Sequence, residues 1–392
     1  MYVIDSKPGS PASQSRYCRG VFQWNFAAAT AEQTVSFLMS VGKRIGKRSF
    51  LFPTCDENAI LAAAHFDTLK RWFIYPQQSP ALASALVSKK EMYFLAKQHG
   101  VPTPEASFPQ SIDDVLTFCE TANFPVTAKG IDGARLKRQL GAGVIIAENR
   151  SDLLGIYERL DESERSNVML QEYIPGADDS IWMFNGYFDS SSDCRFGITG
   201  RKIRQYPVYI GQTSLGICLR NDFVYETTVR WMKELSYKGI LDIGYRYDAR
   251  DGQYKVLDVN PRIGATFRLF VDQNGMDVAR VIYLDLTGQP VSQGAAREGR
   301  KWMVEDADIA SFLRYRKDGK LTFPQWLKSL PGIEEGAYFA ADDMRPFWNM
   351  CYRSWRRQMS KNNGTTDKHD HLSLEPLDVK RPNFISSISQ VQ

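Results

Sequence analysis

The chain has little of what compact metal and redox sites are made from. Its 392 residues include only six cysteines and four histidines. The cysteines, at 18, 55, 119, 194, 218 and 351, are scattered, and no two have CxxC spacing. This argues against a zinc ribbon and a disulfide framework, and it fits a reducing, cytoplasmic setting. His369 and His371 lie in a polar C-terminal stretch, so few histidines remain for a histidine metal cluster. Neither charge sign dominates. Lys and Arg number 49 and Asp and Glu 45, a net charge of +4, which is too small over this length to imply nucleic acid. No apolar run reaches the ~20 residues of a membrane span, and no signal-peptide pattern precedes the first strand. No internal repeat is present.

What is present is an ordinary globular composition, 43% apolar and 24% charged, with length for two or three domains. Residues 1–87 alternate strand and helix. Met1–Asp5, Ser49–Pro53 and Phe73–Tyr75 read as strands, and Glu32–Val41 and the stretch through His65 as helices. That alternation implies parallel βαβ units. The domain is short, so either the chain begins late or the fold is trimmed. Ser88–Gly100 reads as a helix stopped by Gly100 and the following Val-Pro-Thr-Pro. Further helices are expected at Asp113–Thr121, from a Ser151-Asp152 cap into Leu160, at Glu226–Tyr237 and at Gly275–Leu286. Residues 124–129, 144–147 and 169–174 read as strands, and 180–219 as an antiparallel sheet. Residues 290–359 are mixed and Trp-rich, and 360–392 form a tail too polar to fold alone. Within the Trp-rich part, Trp348–Arg357 reads as a basic amphipathic helix. Such a helix suits an anionic membrane surface, although packing of its aromatics against the body is the commoner use.

The chemistry concentrates in Gly239–Arg262. Two strand-like runs flank a polar turn, the signature of a β-hairpin. Asp258 and Asn260 are two apart and so share a face. With the turn centred near Arg250, Asp242 falls across from Asp258. Facing carboxylates repel unless something positive lies between them. Carboxylate and amide oxygens suit a hard cation such as Mg²⁺, which keeps the rest of its shell for water and phosphate. The bland alternative is a surface hairpin that ends at Asn260-Pro261.

Other cations sit at punctuated places. Lys129 ends a buried strand, where a lysine must emerge or be paired. Gly130–Gly143 carries glycines at 130, 133, 141 and 143 and the cations Arg135, Lys137 and Arg138. Glycines let backbone N–H groups wrap an anion. On a strand Lys202 and Arg204 share one face, and Arg201 and Ile203 the other.

Taken in order, these motifs resemble the ATP-grasp superfamily, in its carboxylate–amine ligase branch with D-aspartate ligase-like proteins. The set is a lysine eleven residues before Gly-Val-Pro-Thr-Pro, a strand-end lysine, a Gly-rich segment, Gln-Glu-Tyr-Ile-Pro-Gly, and Asp-Val-Asn-Pro-Arg. It spans about residues 50–290. The resemblance implies an α/β chain with α+β lobes: an ATP-grasp fold at 88–289, with a smaller lobe near 111–172, behind a short Rossmann-like α/β domain at 1–87. It implies that Lys89, with Lys90 as a competitor, and Lys129 approach ATP, and that Gly130–Gly143 covers its phosphates. Gln171, Glu172, Tyr173 and Ile174 would meet the adenine, and Asp178 or Asp179 the ribose. Asp242, Asp258 and Asn260 would hold Mg²⁺, with Mn²⁺ as the other candidate. Gly244 stands where relatives often carry glutamate. Arg262 would steady the acyl phosphate, and Lys202 and Arg204 would face phosphate or acyl substrate. The implied activity is an ATP-dependent ligase joining a small carboxylate to an amine, both amino-acid-like, through an acyl phosphate. A homodimer stays open. The alternative from another class is a degenerate ATP-binding regulator or scaffold without turnover.

Overall fold

A computed structural model of the chain describes residues 1–131, 133–292 and 294–362. The tail expected from residue 360 lies, beyond 362, outside the described residues. The described chain divides into two compact units. The larger takes residues 1–87, 177–245 and 258 onward, and the smaller takes 88–176 with 246–257.

The larger unit opens with two short parallel pairs, β1 (Tyr2–Asp5) with β2 (Gly20–Gln23) and β3 (Ser49–Phe50) with β4 (Phe73–Ile74). The helix Ala31–Ile45 lies between the pairs in sequence. Thr30 and Gln33 form its capping box, and Gly46, at φ +74°, ends it in the left-handed conformation. Val35, Leu38, Leu69 and Phe73 bury together as the core of this part.

The smaller unit is a four-stranded antiparallel sheet, in the order β5 (Ala106–Ser107), β8 (Val168–Glu172), β6 (Val126–Gly130), β7 (Val144–Ala147). Val126, Ala128, Leu153, Ile156 and Leu170 fill its core. The Gly130–Gly143 segment is not a loop throughout. Gly133–Leu140 is helical, because Leu136 buries completely and Arg135 pairs with Glu164. Two glycines split by an apolar, cationic run leave enough helix-forming residues for two turns. The next helix is Arg150–Glu158 and is capped by Asn149, two residues before the expected Ser151. Asparagine outranks serine only slightly as a cap, and here its side chain accepts the Asp152 N–H.

The remaining strands are β9 (Ile181–Phe188), β10 (Cys194–Tyr206), β11 (Gln212–Cys218), β12 (Gly239–Asp248), β13 (Gln253–Asn260), β14 (Lys301–Met303) and β15 (Ile333–Gly336), all in the larger unit except residues 246–257 of the β12–β13 hairpin. They form one sheet in the order β13-β12-β9-β10-β11-β14-β15. The pairs β9–β10 and β10–β11 are antiparallel, as the alternation over 180–219 implied. The Trp-rich segment thus supplies two strands of this sheet, and its Trp302 is buried with Met183, Phe196, Leu269 and Val281. No helix among the described residues is long and apolar enough to cross a membrane.

Candidate active site

The hairpin β12–β13 brings Asp242, Asp258, Asn260 and Arg262 together in the larger unit. The Asn260 amide nitrogen donates to the Asp242 carbonyl at 3.2 Å and to Asp258 Oδ2 at 3.1 Å. A Cβ on Gly244 would lie 2.5 Å from Asp258 Oδ1. Asp258 therefore faces Gly244 and Asn260 faces Asp242, whereas a turn centred at Arg250 sets Asp258 against Asp242. The bare Gly244 leaves the Asp258 carboxylate its room.

Asp242 lies recessed beneath Gly264. A Cβ there would fall 2.4 Å from the Asp242 carboxyl, so only glycine leaves the pocket open. Burial, and then the Asp258 carboxylate, push the Asp242 pKa up to about 7, against the pull of Arg262, Asn185 and Lys202. Burial and the neighbouring carboxylate thus both disfavour a charged Asp242. Two carboxylates and an amide oxygen form an all-oxygen donor set that suits a hard divalent cation. Among the described residues no group of three or more His, Cys, Asp or Glu that could hold a metal ion gathers.

Asn185 on β9 was not singled out in the sequence. It is completely buried, and neither amide atom finds a hydrogen-bond partner of good geometry, yet it lies close enough to Asp242 to favour the charged carboxyl. One amide inside the run Ile181–Phe188, otherwise apolar apart from Gly186, was the available signal.

Arg262 donates from Nε to Asp56 Oδ1 at 2.7 Å and from Nη2 to Asn260 Oδ1 at 3.0 Å. Both members of the Arg262–Asp56 pair keep some solvent contact. Asp56 opens the helix Asp56–Ala64, so its carboxylate stands at a helix N-terminus.

Arg204 has a different setting. It is buried and doubly bonded to Asp308, at 2.8 and 2.9 Å, and it donates to Ser329 Oγ at 2.7 Å. Asp308 also accepts from Ser214 and Trp326. A bulge explains this: β10 shifts register against β11 on both sides of Arg204, which breaks the alternation that paired it with Lys202. Lys202 instead donates to the Gly211 carbonyl at 2.9 Å and favours the ionised form of Asp242. The structure gives Arg204 a structural partner, and the substrate-facing role expected of it has no support here.

Asp178 and Asp179, equivalent in the sequence, are separated. Asp178 accepts hydrogen bonds from Gln205 at 2.8 Å and from the Tyr315 hydroxyl. Asp179 is exposed, with Arg201 at 3.9 Å, and the Arg201 guanidinium lies over the Trp182 ring.

In the smaller unit Lys89 begins the helix Lys89–Gln98 and donates to the Gly130 carbonyl at 2.7 Å. Lys90 points elsewhere, over the Phe108 ring. Lys129 Nζ meets Gln171 Oε1 at 2.6 Å. Gln171 and Glu172 end β8, a central strand whose backbone is engaged by β5 and β6. Tyr173 and Ile174 lie past the strand end; Ile174 is buried, and Arg246 covers the Tyr173 ring. The Glu172 carboxylate accepts from Arg250 at 2.6 Å and lies 3.4 Å from Lys255. Arg250, and then Lys255, hold Asp248 well below the usual carboxylate range.

No protein-family model matches the chain. It is 26% identical over 293 residues to a D-aspartate ligase of Enterococcus faecium, covering 70% of this chain and 68% of that one. It is 22% identical over 229 residues to a carbamoyl phosphate synthase large chain of Gemmatimonas aurantiaca, covering 55% of this chain and 19% of that one. Among solved structures it is similar to the biotin carboxylase domain of Hydrogenobacter thermophilus 2-oxoglutarate carboxylase, in complex with MgADP, ADP and bicarbonate. The TM-score is 0.56 at 15% identity, covering 76% of this chain and 73% of that one. N5-carboxyaminoimidazole ribonucleotide synthetase of Thermus thermophilus matches with a TM-score of 0.56 at 13% identity, covering 76% and 74%.

Proposed function

We propose that the chain, a D-aspartate ligase homologue with the ATP-grasp fold, is an ATP-dependent ligase that joins a small carboxylate to an amine. The observation that carries this reading is the geometry of the Asp242–Asp258–Asn260 cluster beside Arg262: two carboxylates and an amide brought together by one hairpin, next to a guanidinium that can receive an anion. The relatives named above are ligases, synthetases and carboxylases, so the regulator or scaffold without turnover has no counterpart among them.

In the proposed reaction a carboxylate oxygen of the substrate attacks the γ-phosphorus of ATP. The bond to ADP breaks and an acyl phosphate forms. The amine nitrogen then attacks the acyl carbon, phosphate leaves, and the amine gives up a proton. Asp242, Asp258 and the Asn260 oxygen would hold Mg²⁺, which when bound supplies charge neutralisation to the phosphates; Mn²⁺ suits the same oxygens. Arg262 offers a fork to the acyl phosphate while Asp56 holds its Nε; its contacts to the Asn260 oxygen and the Ile263 carbonyl would be given up to the ligands. Lys89 and Lys129 are assigned to ATP, and Lys202 to the anionic substrate. Tyr173 and Ile174 are assigned to the adenine, because Gln171 and Glu172 have committed their strand backbone. Asp179 is the better ribose acid, since Asp178 is held by Tyr315 and Gln205.

D-aspartate is the first carboxylate to test, because the relative is named for it. The six cysteines are all free thiols, which supports a cytoplasmic setting. A homodimer is the proposed assembly, since the biotin carboxylase domain named above is described as a dimer. The chain should be incubated with Mg-ATP and pooled amino acids, with phosphate release and product mass measured together. Release that depends on one carboxylate and one amine supports the reading. Absence of release across the panel, with Asp258→Ala binding Mg-ATP as the parent does, sinks it.

A further inference from the structure

The last described helix, Arg345–Asn362, is left unused by the ligase reading. On its inner side Met350 is buried, and just before it Asp343 accepts hydrogen bonds from Ser15 and from the Arg16 backbone. This side holds the helix to its own unit. On its outer side Trp348, Tyr352, Trp355 and Met359 follow at spacings of four, three and four, one stripe of a helix. They are 62%, 55%, 58% and 45% exposed. The aromatics therefore do not pack against the body, which was the commoner expectation for this stretch.

The composition points to what covers the stripe. The helix carries Arg345, Arg353, Arg356, Arg357 and Lys361 and no acidic residue. It also contains no leucine, isoleucine or valine; its apolar residues are aromatics, methionine and one each of cysteine and proline. At 100° per residue, Arg345 and Arg356 stand on the flank of the aromatic stripe, with Arg353 beyond them. Amphipathic, cationic, Trp-bearing helices of low overall hydrophobicity lie in the plane of a membrane interface, and Trp and Tyr favour the headgroup level. The helix's own charge is all positive, and the flanking Arg345 and Arg356 suit an anionic surface. The helix is too polar to span.

We propose that the helix Arg345–Asn362 docks this protein onto the surface of an anionic lipid bilayer, with Trp348, Tyr352, Trp355 and Met359 entering the interface. The docking is reversible and peripheral, and it does not depend on the ligase reading. The test is co-sedimentation of the full chain with phosphatidylcholine vesicles, with and without phosphatidylserine, together with tryptophan emission. The expected result is sedimentation with the phosphatidylserine vesicles only, a blue shift of the emission, and release by high salt. The Arg353→Gln/Arg356→Gln double variant should bind those vesicles more weakly, by up to about fivefold for each arginine removed. The Trp348→Ala/Trp355→Ala variant should lose binding while keeping its melting temperature, since both rings face solvent. Three results would overturn the proposal: no sedimentation with phosphatidylserine vesicles, unchanged binding by the tryptophan variant, or concentration-dependent self-association that the tryptophan variant abolishes. The last would make the stripe a contact with a second copy of the chain.

Discussion

Arg204 and Arg262 look alike in the sequence. Each lies on or just past a strand of one sheet, and each holds an aspartate at under 3 Å. Their surroundings differ. The Arg204–Asp308 side chains are 5% and 0% exposed, and every oxygen of Asp308 is taken by a donor. The Arg262–Asp56 side chains are 18% and 32% exposed, and they stand beside Asp242, whose charge burial and Asp258 disfavour. A charge whose partners are complete and dry serves the fold. A charge with an accessible edge next to that cluster remains available for chemistry.

Substitution can break this contrast, and the largest effect belongs to the buried pair. Arg204→Ala leaves Asp308 charged and dry and should cost about 3–5 kcal/mol. Chemical denaturation measures it, and a loss below ~1 kcal/mol would put Arg204 outside the structural class. Next is Arg262→Ala, expected to lower turnover by about 10²–10³-fold while the melting temperature stays near that of the parent. Arg262→Lys should recover little, because a point charge lacks the fork. Comparable losses in nucleotide affinity and turnover would count against the assigned role.

A smaller effect is expected from pH. The Asp242 carboxyl is raised in the folded state to about 7 from an ordinary value near 4, so the folded state holds its proton more tightly. Its contribution to stability is complete below about pH 4 and is lost as pH rises through about 7. Metal-free protein should therefore melt lower at pH 8 than at pH 5, and Asp242→Asn should flatten that slope. A slope unchanged in the variant would assign it to another group. The smallest effect is Asn185→Leu. Replacing an unpartnered buried amide by an apolar residue of similar volume is nearly neutral or stabilising in the free protein. The stabilisation of the melting temperature by Mg-ADP should shrink, and an unaltered ligand shift would separate Asn185 from the cluster.

The hairpin, most helices and the order of the motifs were legible because each rests on local signals: alternation, caps and glycine punctuation. Asp258 and Asn260 follow from a spacing of two on one strand, and Arg262 from the motif order that the resemblance supplies. The position of Asp242 needed the register, and a turn-centre estimate misjudged it by one pleat. The fate of Arg204 was not legible at all, since its partner lies 104 positions away and a bulge reverses its face. Asp178 and Asp179 could be told apart only by the arrival of Gln205 and of Tyr315, the latter from a helix far along the chain. Exposure of the Trp348 stripe likewise depends on which side of the helix meets the body.

The strand order of the large sheet has a consequence for synthesis. Strands β9 to β13 occupy a continuous stretch of chain and can pair as soon as they emerge from the ribosome. The outer edge of β11, with Leu215 and Ile217, is covered only when Lys301–Met303 arrives to pair with it. At the ~5–20 residues per second of translation, that edge stays open for on the order of ten seconds. A nascent chain released within that interval presents an unprotected strand to its neighbours. Truncations ending before Lys301 should therefore accumulate as aggregates, even though every residue of the proposed chemistry has already been made.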